Sequence, residues 1–335
     1  MKTVLLTGGA GFIGHHTVEH ILKNTNFNII ILDSLTYAGN INHFTDIEIW
    51  PKEGVKRVKF VFHDFRAPIN ESVLSLIGNK IDYIIHMGAE THVGRSLTDP
   101  LTFAQSNVVG TVNILDLAKK LEPEKIIYVS TDEVYGSTDG ITLHKEGEPH
   151  LPSNPYAAGK AGGEDFAYSY FKSFNMPIII TNTMNNVGER QDPEKFMPMA
   201  IKKILKGQKV PIHVKMNRKE VEEISSRYWL HPRNHADALL FLLKKGKTGE
   251  RYNIAGQKLN VLEFSRLIAK SLKKPLKVEY VDFHKYSPGH DLHYGLDDTK
   301  IKNLGWKPPL DFQDSMEKAT KWMERRKEWL QIGIS

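Results

Sequence analysis

The chain contains no cysteine. That absence excludes disulfides, thiolate nucleophiles and cysteine-ligated metal sites together, and it agrees with a reducing compartment. No stretch approaches the ~18 apolar residues of a membrane span. The N-terminal MKTVLLTGGAGFIG is broken by glycine too early for the apolar core of a signal peptide. There is no internal repeat and no low-complexity segment, and the net charge of +6 forms no basic stripe or known nucleic-acid module. The expectation is a cytoplasmic protein with no nucleic-acid or membrane partner and no metal. The modest positive excess equally suits a pocket for a dianionic ligand.

What is present is an ordinary globular composition, 40% hydrophobic and 25% charged over 335 residues, enough for a large α/β unit and a smaller lobe. KTVLLT, NIIILD, VKFVFHD, IDYIIHMGA, KIIYVS and MPIIITN are short apolar runs separated by amphipathic stretches. This pattern predicts a doubly wound parallel sheet covered on both faces, a Rossmann fold. After residue 184 the pattern changes to a smaller C-terminal α/β lobe. The expected division is 1–183 plus 228–255 for the NAD-binding domain and 184–227 plus 256–335 for the substrate lobe. NRKEVEEISS, within 213–226, is charged and lacks apolar periodicity, so it is expected to be a lid or a disordered loop.

TGGAGFIG follows the first strand and opens a helix predicted over 12–24. Gly8, Gly11 and Gly14, with Phe12 and Ile13 between them, form the tight turn and helix start that receive a pyrophosphate. Asp33 ends the second strand, where a carboxylate binds ribose hydroxyls and repels the extra phosphate of NADP. NAD is therefore the expected cofactor. Asp64 either accepts from the adenine amino group or caps a helix.

Tyr156 and Lys160 are four residues apart in PYAAGKAGGEDF, on one face of a helix. A lysine cation beside a phenol lowers its pKa, so the tyrosine can take an alcohol proton as hydride leaves. Thr131 ends an earlier strand. The next two residues are Asp132 and Glu133. They are either a solvated turn or a functional acid pair, since close carboxylates push their pKa values apart.

TGGAGFIG, LDSLTYAGN, HMGAETHVGRS, SNVVGT, STDEVYG, NPYAAGKAG, NNVGERQDPEKFMP, RYWL…HADAL and GHDLHY…TKIKNLGWKP span nearly the whole chain. On these stretches the chain resembles an extended short-chain dehydrogenase/reductase of the nucleotide-sugar 4,6-dehydratase branch. LTYAGN and TDEVYG are specific to that branch; epimerases of the group usually carry a small residue in place of the acid pair. The resemblance implies a homodimeric NAD enzyme that dehydrates a nucleoside-diphosphate hexose. Tyr156 and Lys160 would serve the oxidation of C4 with Thr131 on the 4-oxygen. Glu133 would be the base at C5, and Asp132 the acid for the departing C6 hydroxyl. It maps substrate contacts onto Thr91, His92, Asn186, Glu194, Lys195 and Arg227.

The resemblance thins at the nucleotide end. Gly94, Asn182 and Val187 stand where the branch usually has Asp, a nearby Arg and Tyr. Ser287, Leu292 and His293 replace arginines, and the segment before Arg227 is longer than usual. A changed nucleotide or sugar is expected. An epimerase or 5,6-dehydratase is the alternative chemistry. A non-catalytic NAD-binding protein would have no need of Thr131, Tyr156 and Lys160 together.

Overall fold

Alternate residues of each central strand face opposite sides, and both sides are apolar, so the strands bury two separate cores. In a computed structural model, which describes residues 1–218, 220–283, 289 and 291–332, Val4, Leu6, Ile29, Ile31, Ile85 and Ile127 enter one core. Leu5, Ile30, Leu32, Ile84, Ile126 and Ile178 enter the other. The strands are β1 (Thr3–Thr7), β2 (Asn28–Asp33), β3 (Val58–Phe62), β4 (Tyr83–His86), β5 (Lys125–Thr131) and β6 (Ile178–Thr183). A later strand, Arg251–Ile254, pairs parallel with β6 and completes seven. Helix α1 (Phe12–Asn24) packs on the first face beside the helix Pro232–Lys245. Helices α2 (Gly110–Leu121) and α3 (Pro155–Phe174) cover the second.

The sheet order runs β3–β2–β1–β4–β5–β6 and then the late strand. Strand order reverses between β1 and β4. In open α/β sheets the crevice at the carboxyl edge of that reversal receives ligands. Here the glycine loop after β1 and the acid pair after β5 both lie on that edge.

The smaller unit has its own core, in which Trp229 stacks on Phe264 at 4.4 Å. Helices Phe196–Leu205, Val261–Leu272 and Phe312–Arg325 pack around it. The connection is not strictly sequential. Ile301 and Trp306, late in the chain, pack into the first core of the central sheet.

The segment expected to be a lid or disordered loop is a β-hairpin. Strand Val210–Asn217 pairs antiparallel with Glu220–Ile224 and parallel with Val278–Asp282. Val210, Ile212 and Val214 alternate into the lobe core, whereas the charged second strand, Glu220–Ile224, carries few apolar residues and is hidden in the sequence. Met216 and Ile224 lean on the lobe core, and Lys215 pairs across the strands with Glu222 at 3.3 Å.

Candidate active site

Strand β5 ends in Thr131, and the chain turns at once into a single 3₁₀ turn over Asp132–Tyr135. The acid pair therefore does not lie on an extended chain with its side chains opposed. The Thr131 hydroxyl caps the turn, accepting from the Glu133 amide at 3.4 Å and donating to Asp132 Oδ1 at 2.9 Å. Asp132 Oδ2 is buried and has no hydrogen-bond partner among the described residues. Burial first, and the Glu133 charge second, push the Asp132 carboxyl up to about 7. Glu133 is also raised, chiefly by burial, while a hydrogen bond from Asn154 and the Arg227 charge hold it down. Asn154 Nδ2 donates to Glu133 Oε2 at 3.1 Å, and the Tyr294 hydroxyl lies 3.4 Å from the same oxygen.

Tyr156 sits in the first turn of α3, which Asn154 caps by accepting from the Ala157 amide. Its ring packs edge-on to Phe103. A hydrogen bond with Thr131 favours its phenolate, but burial and the Glu133 charge dominate and raise the phenol above its ordinary value. Lys160 behaves differently from the sequence expectation. Its Nζ donates to the Val129 carbonyl at 2.7 Å and lies 4.5 Å from the centre of the Tyr128 ring. Burial lowers it to about 7. The lysine is thus a weaker cation than an exposed one. Asn182 underpins the strand end, donating to the Thr131 carbonyl at 3.2 Å and to Glu164 at 2.9 Å.

Across the crevice, Gly8 adopts φ +70°, and a Cβ there would meet Gly88 Cα at 2.7 Å. A Cβ on Gly14 would meet the Gly8 carbonyl oxygen at 2.1 Å. Gly11 is the N-cap of α1; no side chain caps that end and no acid stands in its first turn. The amides of Phe12 and Ile13 are left to an anion. Asp33 accepts from the Ala10 amide at 2.9 Å and the Leu35 amide at 2.8 Å, so its carboxylate is fixed beside the loop. Burial raises it above the ordinary range. A cradle that side chains would fill, an uncapped helix start and an anchored carboxylate fit a dinucleotide. Asp64 instead makes a partly exposed pair with Arg66, 2.8 Å from its Nε.

This geometry matches known proteins over almost the whole chain. The model of the GDP-mannose 4,6 dehydratase family covers residues 5–319. The chain belongs to this family. It is 34% identical to dTDP-glucose 4,6-dehydratase of Neisseria meningitidis, over 99% of this chain and 96% of that protein. It is likewise 34% identical to dTDP-glucose 4,6-dehydratase 1 of Escherichia coli K12, over 98% and 94%. The solved dTDP-glucose 4,6-dehydratase DesIV of Streptomyces venezuelae, with NAD bound, superposes with a TM-score of 0.86 at 34% identity, covering 98% of this chain and 99% of that one. The Bacillus anthracis dTDP-glucose 4,6-dehydratase in complex with NAD gives 0.84 at 32% identity, covering 98% of each chain.

Within the family fold, the residues mapped to substrate fall into two groups. Glu194 gathers the first: Arg95 Nη2 reaches its Oε2 at 3.0 Å, His92 Nε2 lies 3.6 Å from the same oxygen, and Lys195 Nζ is 3.9 Å from Oε1. Burial lowers both His92 and Lys195, and Thr91 is exposed beside them. Asn186 is buried, with Nδ2 on the Met184 carbonyl and Oδ1 without a partner among the described residues.

Arg227 stands apart. Its guanidinium donates to the carbonyls of Ser226 (2.8 Å), Leu292 (2.7 Å) and Asp291 (2.7 Å). Its fork therefore clamps the Asp291–Tyr294 segment against the acid pair. His293, in an arginine position of the resemblance, hydrogen-bonds Ser226 Oγ at 2.7 Å and lies 2.8 Å from Glu223 of the hairpin. A cleft of about 300 Å³ opens there, lined by Lys215, Glu223, Asp291 and His293 among others. Ser287, another arginine position, lies outside the described residues. Sequence reasoning missed Asn154 and Tyr294 as partners of Glu133. The Asn-Pro helix start was the available signal for Asn154; Tyr294 had none, because its partner lies far away in sequence.

Proposed function

We propose that this chain is an NAD-dependent nucleotide-sugar 4,6-dehydratase that converts a nucleoside-diphosphate hexose to its 4-keto-6-deoxy form. The observation that carries the reading is the buried acid pair. Two carboxyls that close cannot both ionise cheaply, and Asp132 is the one pushed up to about 7. At neutral pH the site thus offers a proton donor next to a base, directly beside Tyr156.

NAD, when bound, supplies the acceptor that takes hydride from the sugar and later returns it. Tyr156 would act as its phenolate, the form that the Thr131 hydrogen bond favours, and receive the proton of the 4-hydroxyl. The 4-ketone acidifies C5, and Glu133 removes that proton. Asp132 gives its proton to the C6 hydroxyl as the C6–O bond breaks, and water departs. Glu133 then returns a proton to C5 once C6 is reduced. Asn154 and Tyr294 steady Glu133 through this cycle, and Arg227 keeps the loop carrying Tyr294 in place. Gly8, Gly11, Phe12, Ile13, Gly14 and Asp33 hold the dinucleotide, with Asp64 at its adenine end. Thr91, His92, Asn186, Glu194 and Lys195 face the sugar and diphosphate.

Residues 1–183 with 228–255 are read as the NAD-binding unit, and 184–227 with 256–335 as the substrate lobe. The parallel sheet and the separate core around Phe264 support two units, with Trp229 packing into the second core and Ile301 and Trp306 into the first. The reading extends to a homodimer in the cytoplasm. Leu101, Val109 and Phe166 remain exposed on adjoining helical segments, a face suited to a second copy. Light scattering reporting a monomer at working concentration would overturn the dimer.

The nucleotide is proposed to differ from dTDP, because hairpin residue Glu223 and His293 occupy the rebuilt end. The decisive experiment is incubation with a panel of nucleotide-hexoses, including dTDP-glucose and GDP-mannose, with products followed by mass. Loss of one water from any of them supports the dehydratase. Epimerised product of unchanged mass would overturn it, and clear preference for dTDP-glucose would overturn the altered nucleotide.

A further inference from the structure

The second turn of α1 carries His15, fully buried one turn behind the glycine loop. Its Nδ1 lies 3.0 Å from the Gly11 carbonyl oxygen, which also accepts the His15 amide at 3.1 Å. Its Nε2 lies 3.1 Å from Arg190 Nη1. A guanidinium only donates, so Nε2 accepts and the proton sits on Nδ1, directed at Gly11. Burial, with the neighbouring His16, His43 and Arg190 charges, holds the imidazole far below its ordinary range, in keeping with this neutral tautomer.

His43 repeats the arrangement one residue earlier. Its Nδ1 is 2.7 Å from the Ala10 carbonyl oxygen, and its ring stacks between His15 (4.5 Å) and Trp329 (5.1 Å). Two consecutive carbonyls of the glycine loop are therefore drawn inward by imidazoles. In a trans peptide the carbonyl and the next amide point in opposite directions. Pinning the Gly11 carbonyl inward aims the Phe12 N–H outward, from an uncapped helix start. A carbonyl with two donors also polarises its own peptide, which strengthens that N–H as a donor.

The far end of the relay belongs to the substrate side. Arg190 is buried and left-handed at φ 65°, and its Nε has no partner among the described residues. The next residue, Gln191, donates to the Asn186 carbonyl at 2.8 Å. An apolar side chain at position 15 would fill the same space without carrying the Arg190 charge to the loop.

We propose that His15 is a positioning residue for the cofactor's pyrophosphate, held in one tautomer by Arg190 and buttressed by the His43 ring stacked on it. The proposal rests on the reading of the α1 start as the pyrophosphate site. Its logic is that the loop bearing Asn186 sets the orientation and donor strength of the Phe12 amide.

The test is calorimetric titration of the full chain, stripped of nucleotide, with NAD, ADP-ribose and adenosine. His15→Phe keeps the ring and loses both polar contacts. It should weaken NAD and ADP-ribose roughly tenfold, the worth of one charge-assisted hydrogen bond, and leave adenosine unchanged. In His15→Asn the amide nitrogen takes the place of Nδ1, and affinity should return to within about twofold of the wild type. Arg190→Met should weaken ADP-ribose as His15→Phe does, and the double variant should be no worse than either, as one network requires. If His15→Phe does not fold, Arg190→Met carries the same ADP-ribose-against-adenosine comparison. Equal weakening of adenosine and ADP-ribose, unchanged ADP-ribose binding, or failure of Asn to rescue would overturn the proposal. A wild-type protein that binds no ADP-ribose would overturn the cofactor-site reading itself.

Discussion

Replacing Asp132 by Asn should make the protein more stable above neutral pH and no more stable in acid. Asp132 is 5% exposed, and its Oδ2 has no partner among the described residues. Its carboxyl moves from an ordinary 3.8 to about 7, through burial and then Glu133. The folded protein therefore keeps a proton that the unfolded chain releases near pH ~4. The stability associated with that protonated group is fully present below the unfolded pKa. It is lost as pH rises through about 4 to 7, because the folded state binds more protons than the unfolded one over that window. A shift of about three units, at ~1.4 kcal/mol each, amounts to ~4 kcal/mol.

The asparagine would present a neutral, near-isosteric group at every pH, so the loss should vanish in the variant. The assay is urea denaturation of nucleotide-free protein at pH values from about 4 to 8. The stability difference, Asp132→Asn minus wild type, should rise by ~4 kcal/mol across the window and then level off. A difference that stays constant with pH would refute the claim that Asp132 is held protonated. It would also remove the main support for its role as the acid.

Glu133→Gln should retain NAD binding yet lose exchange of the C5 hydrogen with solvent deuterium, and turnover should fall by ~10²–10⁴, as for loss of a general base. Wild-type turnover in that protein would sink the assignment. Gly14→Ala would set a methyl 2.1 Å from the Gly8 carbonyl oxygen; a thermal melt should show a lower Tm, and ADP-ribose affinity should fall with it. Arg227→Met removes a charge that lowers both acids, so the limb of the pH–rate profile belonging to the pair should move to higher pH. An unmoved limb would mean that Arg227 acts on the loop alone.

The central sheet was legible because its inner strands bury both faces, and a run such as NIIILD has few other uses. The glycine loop was legible because backbone approach leaves a mark in the residues themselves. The second strand of the hairpin, Glu220–Ile224, was not, since it takes its order from the neighbouring strand and an ion pair rather than from an apolar alternation of its own. The Tyr156–Lys160 spacing was read correctly as one helical face, but the lysine's partner, the Val129 carbonyl, is a tertiary contact that spacing does not encode. The same holds for Arg227, mapped to substrate by resemblance, whose partners are three backbone carbonyls. His15, His43 and Arg190 left no motif at all, because residues 15, 43 and 190 meet only in the folded chain.

The electrostatics of the site follow from how little countercharge its own side chains supply. Lys160, at about 7, and the partly buried Lys195, also lowered, are weakened cations, and Arg227 is turned toward backbone carbonyls. Against them stand Asp132, Glu133 and the Tyr156 phenol, each raised by burial first. Glu133 raises both of the others, so ionising one of the three makes the next harder to ionise. The proposed chemistry needs these groups to act in sequence rather than together: a phenolate taking a proton, a carboxylate taking one, a carboxylic acid giving one. A crevice that disfavours more than one anion at a time enforces that sequence. It does so at a cost in stability that the Asp132→Asn titration measures directly.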